Sequence, residues 1–268
     1  MKSLHIERVG TGPVLVMVHG YLGGSAQWSA EMRALSSHLE VISLDLPGFG
    51  RSRHLQAPDH ISGYAKAVLS ALDELGIQRF HLLGHSMGGM VVQDMVRLAP
   101  ERVDRLVLYA TGPLGLLPGR FETMERSRER LKKDGVEVTA RRISATWLRL
   151  REASPSAMAL GDLAAQASSQ AAEAGLWAME RWDGRPHLDR ITHPTMIVWG
   201  DQDRSYQWPQ IEALWRGIVG ASLAVVPRCA HALHLENPVV FHQLLRDFLA
   251  DPSTPAPSTA PMLTTAPR

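Results

Sequence analysis

The chain has 268 residues, 45% hydrophobic and 21% charged, with a formal net charge of +1. That length can bury one sizeable core plus an insertion, or two small domains. The near-zero charge points to neither nucleic acid nor an anionic membrane as partner. One cysteine, Cys229, excludes an intrachain disulfide and fits a reducing compartment. No apolar run is long enough to cross a bilayer, and Met1–Arg8 has no apolar signal-like stretch, so a cytoplasmic protein with no membrane partner is expected.

Residues 4–9 alternate weakly, as an edge strand does, and Gly10-Thr11-Gly12-Pro13 is a turn. Val14 to Val18 is a short β-branched apolar run, the mark of a strand buried on both faces. It ends in the glycine-rich loop His19-Gly20-Tyr21-Leu22-Gly23-Gly24-Ser25. The spacing of Trp28, Met32, Leu35 and Leu39 predicts a helix over 26–38, then a buried strand over Val41 to Leu44. A turn-rich loop follows, Asp45-Leu46-Pro47-Gly48-Phe49-Gly50-Arg51-Ser52, and a helix over 61–75 is stopped by Gly76. An apolar strand then ends at Leu83, and Gly84-His85-Ser86-Met87-Gly88 turns it into a helix reaching Leu98, closed by Pro100. Val103 to Tyr109 is another strand. Strand and helix in alternation imply a doubly wound, mostly parallel α/β sheet.

From 113 to 186 the pattern changes to helices, over about 120–134, 136–150, 155–169 and 170–181. They are expected to form a lid inserted into a core of 1–112 and 187–250. Arg126, Arg128 and Arg130 interleave with Glu122, Glu125 and Glu129 at helical spacing, which predicts an ion-paired face, with Arg141 and Arg142 further along. Trp147, Leu148, Leu176, Trp177 and Trp182 either line a pocket for an apolar substrate portion or pack the lid's own core. The sheet resumes at Thr195 to Trp199, followed by Gly200-Asp201-Gln202-Asp203, a helix over 209–219 and a last strand, Ser222 to Val226. Asn237-Pro238 opens a closing helix through Leu249, and 251–268, rich in Pro, Ser, Thr and Ala, reads as a disordered tail.

A sharp strand-to-helix turn at Ser86 pushes its hydroxyl out over the sheet edge, and Gly84 and Gly88 let strand and helix approach. A serine hydroxyl needs a base to take its proton, and the base needs a carboxylate to fix its tautomer. Ser86, Asp203 and His231 each stand at the C-terminal end of a predicted strand, where open α/β sheets bind ligands. Among the 12 histidines, His234 is read as a pocket-wall or structural residue, His85 as pointing away, and His19 as a brace for its own loop. Asp203 is preferred to Asp201 because it lies further out along the loop. The backbone N–H groups of Tyr21 and Met87 are the expected oxyanion donors. Neither a metal nor another cofactor is called for.

These residues carry a resemblance. His19-Gly20, Asp45-x-x-Gly48-x-Gly50-x-Ser52, Gly84-His85-Ser86-Met87-Gly88-Gly89, Gly200-Asp201-Gln202-Asp203 and His231 with Glu236-Asn237-Pro238 resemble the α/β-hydrolase superfamily over residues 4–250. Ala230 stands where that family usually has glycine. Serine at 86, rather than aspartate, is unlike haloalkane dehalogenases and epoxide hydrolases. The segment from Arg120-Phe121 to Trp147-Leu148 is similar to the lid of 3-oxoadipate enol-lactonases. The resemblance implies hydrolysis of a small, partly apolar carboxylic ester or lactone through an acyl-enzyme. Its alternative is hydrolysis of a C–C bond in a β-dicarbonyl or ring-fission product. Many such C–C hydrolases carry an aromatic residue after the histidine, where this chain has Ala232.

Overall fold

The computed structural model describes residues 3–116 and 122–250; Arg120-Phe121 and the 251–268 tail lie outside them. Seven strands form one sheet: β1 (Ile6–Val9), β2 (Val14–Val18), β3 (Glu40–Leu44), β4 (Phe80–His85), β5 (Val103–Tyr109), β6 (Thr195–Gly200) and β7 (Ser222–Val226). Their order is β1-β3-β2-β4-β5-β6-β7. Only β1 runs antiparallel, against β3, and the other pairings are parallel.

The central strands are mostly apolar because both sheet faces are covered. Their side chains sort by twos. Leu15, Met17, Leu83, Val107 and Val198 pack with Trp28, just before α1 (Ser29–Leu35), with Met32 from α1 and with Phe241 and Leu245 from α9 (Pro238–Ala250). Val16, Val18, Leu82, Leu106 and Ile197 pack on the other face against α2 (Ile61–Glu74), α3 (Met87–Leu98) and α7 (Trp208–Gly217).

Between β5 and β6 the chain makes a helical excursion of α4 (Met124–Ala145), α5 (Ala157–Ala164) and α6 (Ser169–Glu180). Its ends meet: Gly115 N–H donates to Trp182 C=O at 3.0 Å and Gly184 N–H to Pro113 C=O at 2.8 Å. The helices expected over 120–134 and 136–150 are present as two helical stretches within Met124–Ala145, separated by a kink where Gly135 takes φ 77°, a backbone angle that glycine alone adopts at no steric cost. The arginine face of α4 is ion-paired, with partners both local and from α5 and α6. Arg128 pairs with Glu180, Arg130 and Arg142 with Glu122, and Arg141 with Asp162 as well as Glu137.

α6 docks on the loops after β2 and β3. Tyr21 donates its hydroxyl to Ala172 C=O at 2.8 Å, and Ser168 N–H donates to Gly48 C=O at 2.9 Å. The Gln170 amide both donates to and accepts from the Ala57 backbone. The short helix α8 (Leu233–Glu236) follows the loop that carries His231.

Candidate active site at the strand ends

The site begins at the junction of β4 and α3. Ser86 sits there with φ 56° and ψ −120°, a conformation that costs a non-glycine residue about 1–3 kcal/mol. The surroundings leave it little choice. Ser86 N–H donates to Tyr109 C=O at 3.0 Å, while its own carbonyl accepts from Thr111 Oγ1 at 2.7 Å and Gly89 N–H at 2.9 Å. A Cβ on Gly88 would lie 2.3 Å from Val18 O, and one on Gly84 2.4 Å from Gly88 O. Strand, turn and helix are therefore pressed together as only glycine permits.

The loop after β2 runs beside the serine: a Cβ on Gly20 would meet Ser86 Cβ at 2.9 Å. His19 holds this loop. Its Nε2 accepts Leu46 N–H at 2.9 Å, which leaves Nδ1 to donate to Gly20 C=O at 2.7 Å. Tyr21 comes next and lines the cavity with Ser86. Met87 opens α3, so its N–H is one of the first-turn donors that a helix leaves without an internal partner.

The acid and the histidine come from the loops after β6 and β7. Asp203 Oδ1 accepts from Ser205 N–H at 2.7 Å and Tyr206 N–H at 3.2 Å, and Oδ2 lies 2.9 Å from His231 Nδ1. With Asp203 accepting, Nδ1 carries the proton and Nε2 is left as the acceptor. Both residues are buried, whereas Asp201 is exposed. Tyr206 stacks on the His231 ring at 5.6 Å and 12°, and Trp147 leans on it at 5.9 Å.

The other histidines nearby sit behind this pair. His85 Nε2 and the Tyr109 hydroxyl both donate to His231 C=O, at 3.1 and 3.0 Å. Burial, helped by His231 and His234, holds the His85 imidazole well below its ordinary value. Burial, with His231 and His242 adding to it, drives His234 down to about 3. Both rings stay neutral near pH 7. Among the described residues no group of three or more His, Cys, Asp or Glu side chains is placed to hold a metal ion.

Ser86 and His231 line one cavity of about 40 Å³ with Gly115 and Ser205. The rest of its described wall is Tyr21, Met124, Ile143, Trp147, Met179 and Tyr206. Of the five lid side chains singled out in the sequence, Trp147 faces this cavity. Leu148 and Leu176 belong to the core, Trp177 stacks under Arg128 and Arg181, and Trp182 borders a separate crevice beside Arg97. Sequence reasoning missed Tyr206 and Thr111. Neither stands in a recognisable spacing, although Thr111 lies two residues past a strand end, where such a role can be sought.

Residues 13–238 match the family described as the alpha/beta hydrolase fold. The chain is 30% identical to a 2-hydroxy-6-oxo-6-phenylhexa-2,4-dienoate hydrolase of Burkholderia cepacia, over 92% of this chain and 91% of that one. It is also 30% identical to a pimeloyl-[acyl-carrier protein] methyl ester esterase of Nitrosomonas europaea, over 90% and 97%. The enol-lactonase structure from Burkholderia xenovorans LB400 superposes with a TM-score of 0.84 at 22% identity, covering 92% and 96% of the two chains; at that identity the likeness speaks for the fold.

Proposed function

The chain belongs to the α/β-hydrolase fold family and is a hydrolase, and from that premise we propose that it cleaves a small carboxylic ester or lactone through an acyl-enzyme on Ser86. One observation carries the reading. His231 shares a cavity wall with Ser86 while its Nδ1 lies 2.9 Å from the Asp203 carboxylate. Ser86 Oγ attacks the substrate carbonyl carbon and gives its proton to His231 Nε2. Asp203 keeps the proton on Nδ1 and stabilises the imidazolium. The N–H groups of Tyr21 and Met87 receive the oxyanion. Collapse of the tetrahedral intermediate breaks the C–O bond, and the leaving oxygen takes the proton from His231. Water then attacks the acyl-enzyme by the same route, releasing acid and free Ser86. A lactone gives a single hydroxy acid.

The aromatic and aliphatic wall of Tyr21, Met124, Ile143, Trp147, Met179 and Tyr206 favours a substrate whose acyl or alcohol part is apolar. On this reading residues 113–186 are a lid, since α4 and α6 supply much of that wall, and 1–112 with 187–250 form the core. A cytoplasmic location fits the one cysteine, buried at Cys229; no described helix is long and apolar enough to cross a membrane.

The second reading is C–C bond hydrolysis with the same three residues. The relative named for a 2-hydroxy-6-oxo dienoate favours it. Against it, the described lining residues include no lysine or arginine, and a dienoate carboxylate asks for a cation. A panel of p-nitrophenyl esters, enol-lactones and ring-fission diketones decides by relative kcat/KM. The proposal expects esters or lactones to lead and Ser86→Ala to abolish turnover. A diketone leading by tenfold or more, about 1.4 kcal/mol, would replace the first reading with the second.

A further inference from the structure

The stretch just past the end of α4, residues 147–149, is hydrogen-bonded to both loops that carry the candidate base and acid. Ala230 N–H, directly before His231, donates to Glu236 Oε2 at 2.6 Å, and Arg149 N–H donates to Oε1 of the same carboxylate at 2.6 Å. Ala232 N–H, directly after His231, donates to Trp147 C=O at 2.9 Å. From the other loop Arg204, the neighbour of Asp203, donates Nη1 to Leu148 C=O at 3.2 Å and Nη2 to Arg149 C=O at 3.3 Å. The backbone on each side of the imidazole is thus tied to one short segment. The same segment holds Trp147 against the imidazole ring, on which Tyr206 also stacks. Backbone groups in a buried turn must find partners, and two long side chains supply most of them here.

We propose that Glu236 and Arg204 are positioning residues that fasten the segment 147–149 to the loops of His231 and Asp203, so that the imidazole is held for proton transfer. The inference rests on the Ser86–His231–Asp203 reading above. Glu236 needs both oxygens as acceptors. Gln of the same shape would keep one and turn an NH2 group toward a backbone N–H, setting donor against donor. Arg204 serves two carbonyls through its fork; Lys keeps a charged donor there, and Met keeps only the stem.

The test uses the full chain with Glu236→Gln, Arg204→Met and Arg204→Lys. Active sites are counted by fluorophosphonate titration, with kcat and KM measured on the best p-nitrophenyl ester and Tm recorded alongside. A small misplacement of the base lowers kcat, so a loss of roughly 10- to 100-fold per titrated site is expected for Glu236→Gln and Arg204→Met. KM stays within about twofold, and Arg204→Lys recovers part of the loss. Parental kcat per titrated site in both variants, with only Tm lowered, would overturn the inference as a purely structural effect. A rise in KM at unchanged kcat would also overturn it, because the segment would then only line the pocket. Parent protein that takes no label at Ser86 would overturn this inference and the serine reading together.

Discussion

At the scale of single residues, the site depends on a few close approaches. A Cβ on Gly20 would sit 2.9 Å from Ser86 Cβ and 3.1 Å from His85 O. Gly20→Ala should therefore fold but push Ser86 or the loop aside, lowering kcat roughly 10- to 100-fold with little change in Tm; steady-state kinetics beside a melting curve separate the two effects. Asp203→Asn is sharper. Asn keeps an oxygen for the Ser205 and Tyr206 N–H groups, but its amide would donate to Nδ1 and leave the proton of His231 on Nε2. That tautomer cannot accept from Ser86, so a loss on the order of 10⁴-fold in kcat is expected at near-parental stability. The choice of Asp203 over Asp201, and of His231 over His234, could be argued from position along a loop, because that is a property of the chain itself. Tyr206, Thr111 and the Glu236 clamp could not: their contacts join segments that meet only when several strands are laid side by side.

At the scale of elements, the packing of α3 into the sheet governs where Ser86 stands. A Cβ on Gly88 would meet the carbonyl oxygens of Val18 and His19 at 2.3 and 2.5 Å, backbone atoms that cannot rotate away. Gly88→Ala should destabilise the protein by about 2–3 kcal/mol or more, read as a lower urea midpoint, whereas a midpoint equal to the parent's would show that β2 and α3 can part freely. Buried strands were legible as apolar β-branched runs, and Ser222–Val226 is the strand the sequence predicts. Helix ends were less so. The helix predicted over 26–38 is a 3-10 turn followed by α1, which ends at Leu35. The alanine-rich helix predicted over 155–169 stops at Ala164, because Ser168 caps α6 and bonds to Gly48. β4 continues to His85, two residues past the apolar run, because its ladder with β5 extends to Tyr109. These limits are set by tertiary partners, not by local propensity.

At the scale of the whole molecule, strand–helix alternation predicts the doubly wound sheet, while the strand order is fixed only by how the layers pack. One pair, a buried Glu31 and a half-buried His242, ties the first helix to the last. Glu31 on α1 lies 3.1 Å from His242 Nε2 on α9, and its Oε2 is buried with no hydrogen-bond partner. Burial raises the Glu31 carboxyl from its ordinary 4.5 to about 7, and burial together with Arg246 lowers His242. A raised carboxyl binds its proton more tightly when folded. Its stabilisation is complete below pH 4.5 and is lost as pH rises through 7. Glu31→Gln has no such proton, so its stability relative to the parent should improve from pH 4.5 to pH 8, by on the order of 3 kcal/mol. Urea unfolding at several pH values checks this, and a pH-independent difference would mean that the carboxyl titrates alike in both states.

On the proposed reading, the hydroxyl at the β4–α3 turn is a nucleophile activated by His231. Intact-protein mass spectrometry after fluorophosphonate treatment tests it most directly. One phosphonyl adduct per chain, mapped to Ser86 and slowed at least 100-fold in His231→Ala, is the predicted result. A folded parent that stays unmodified, or that is modified at another residue, would contradict it.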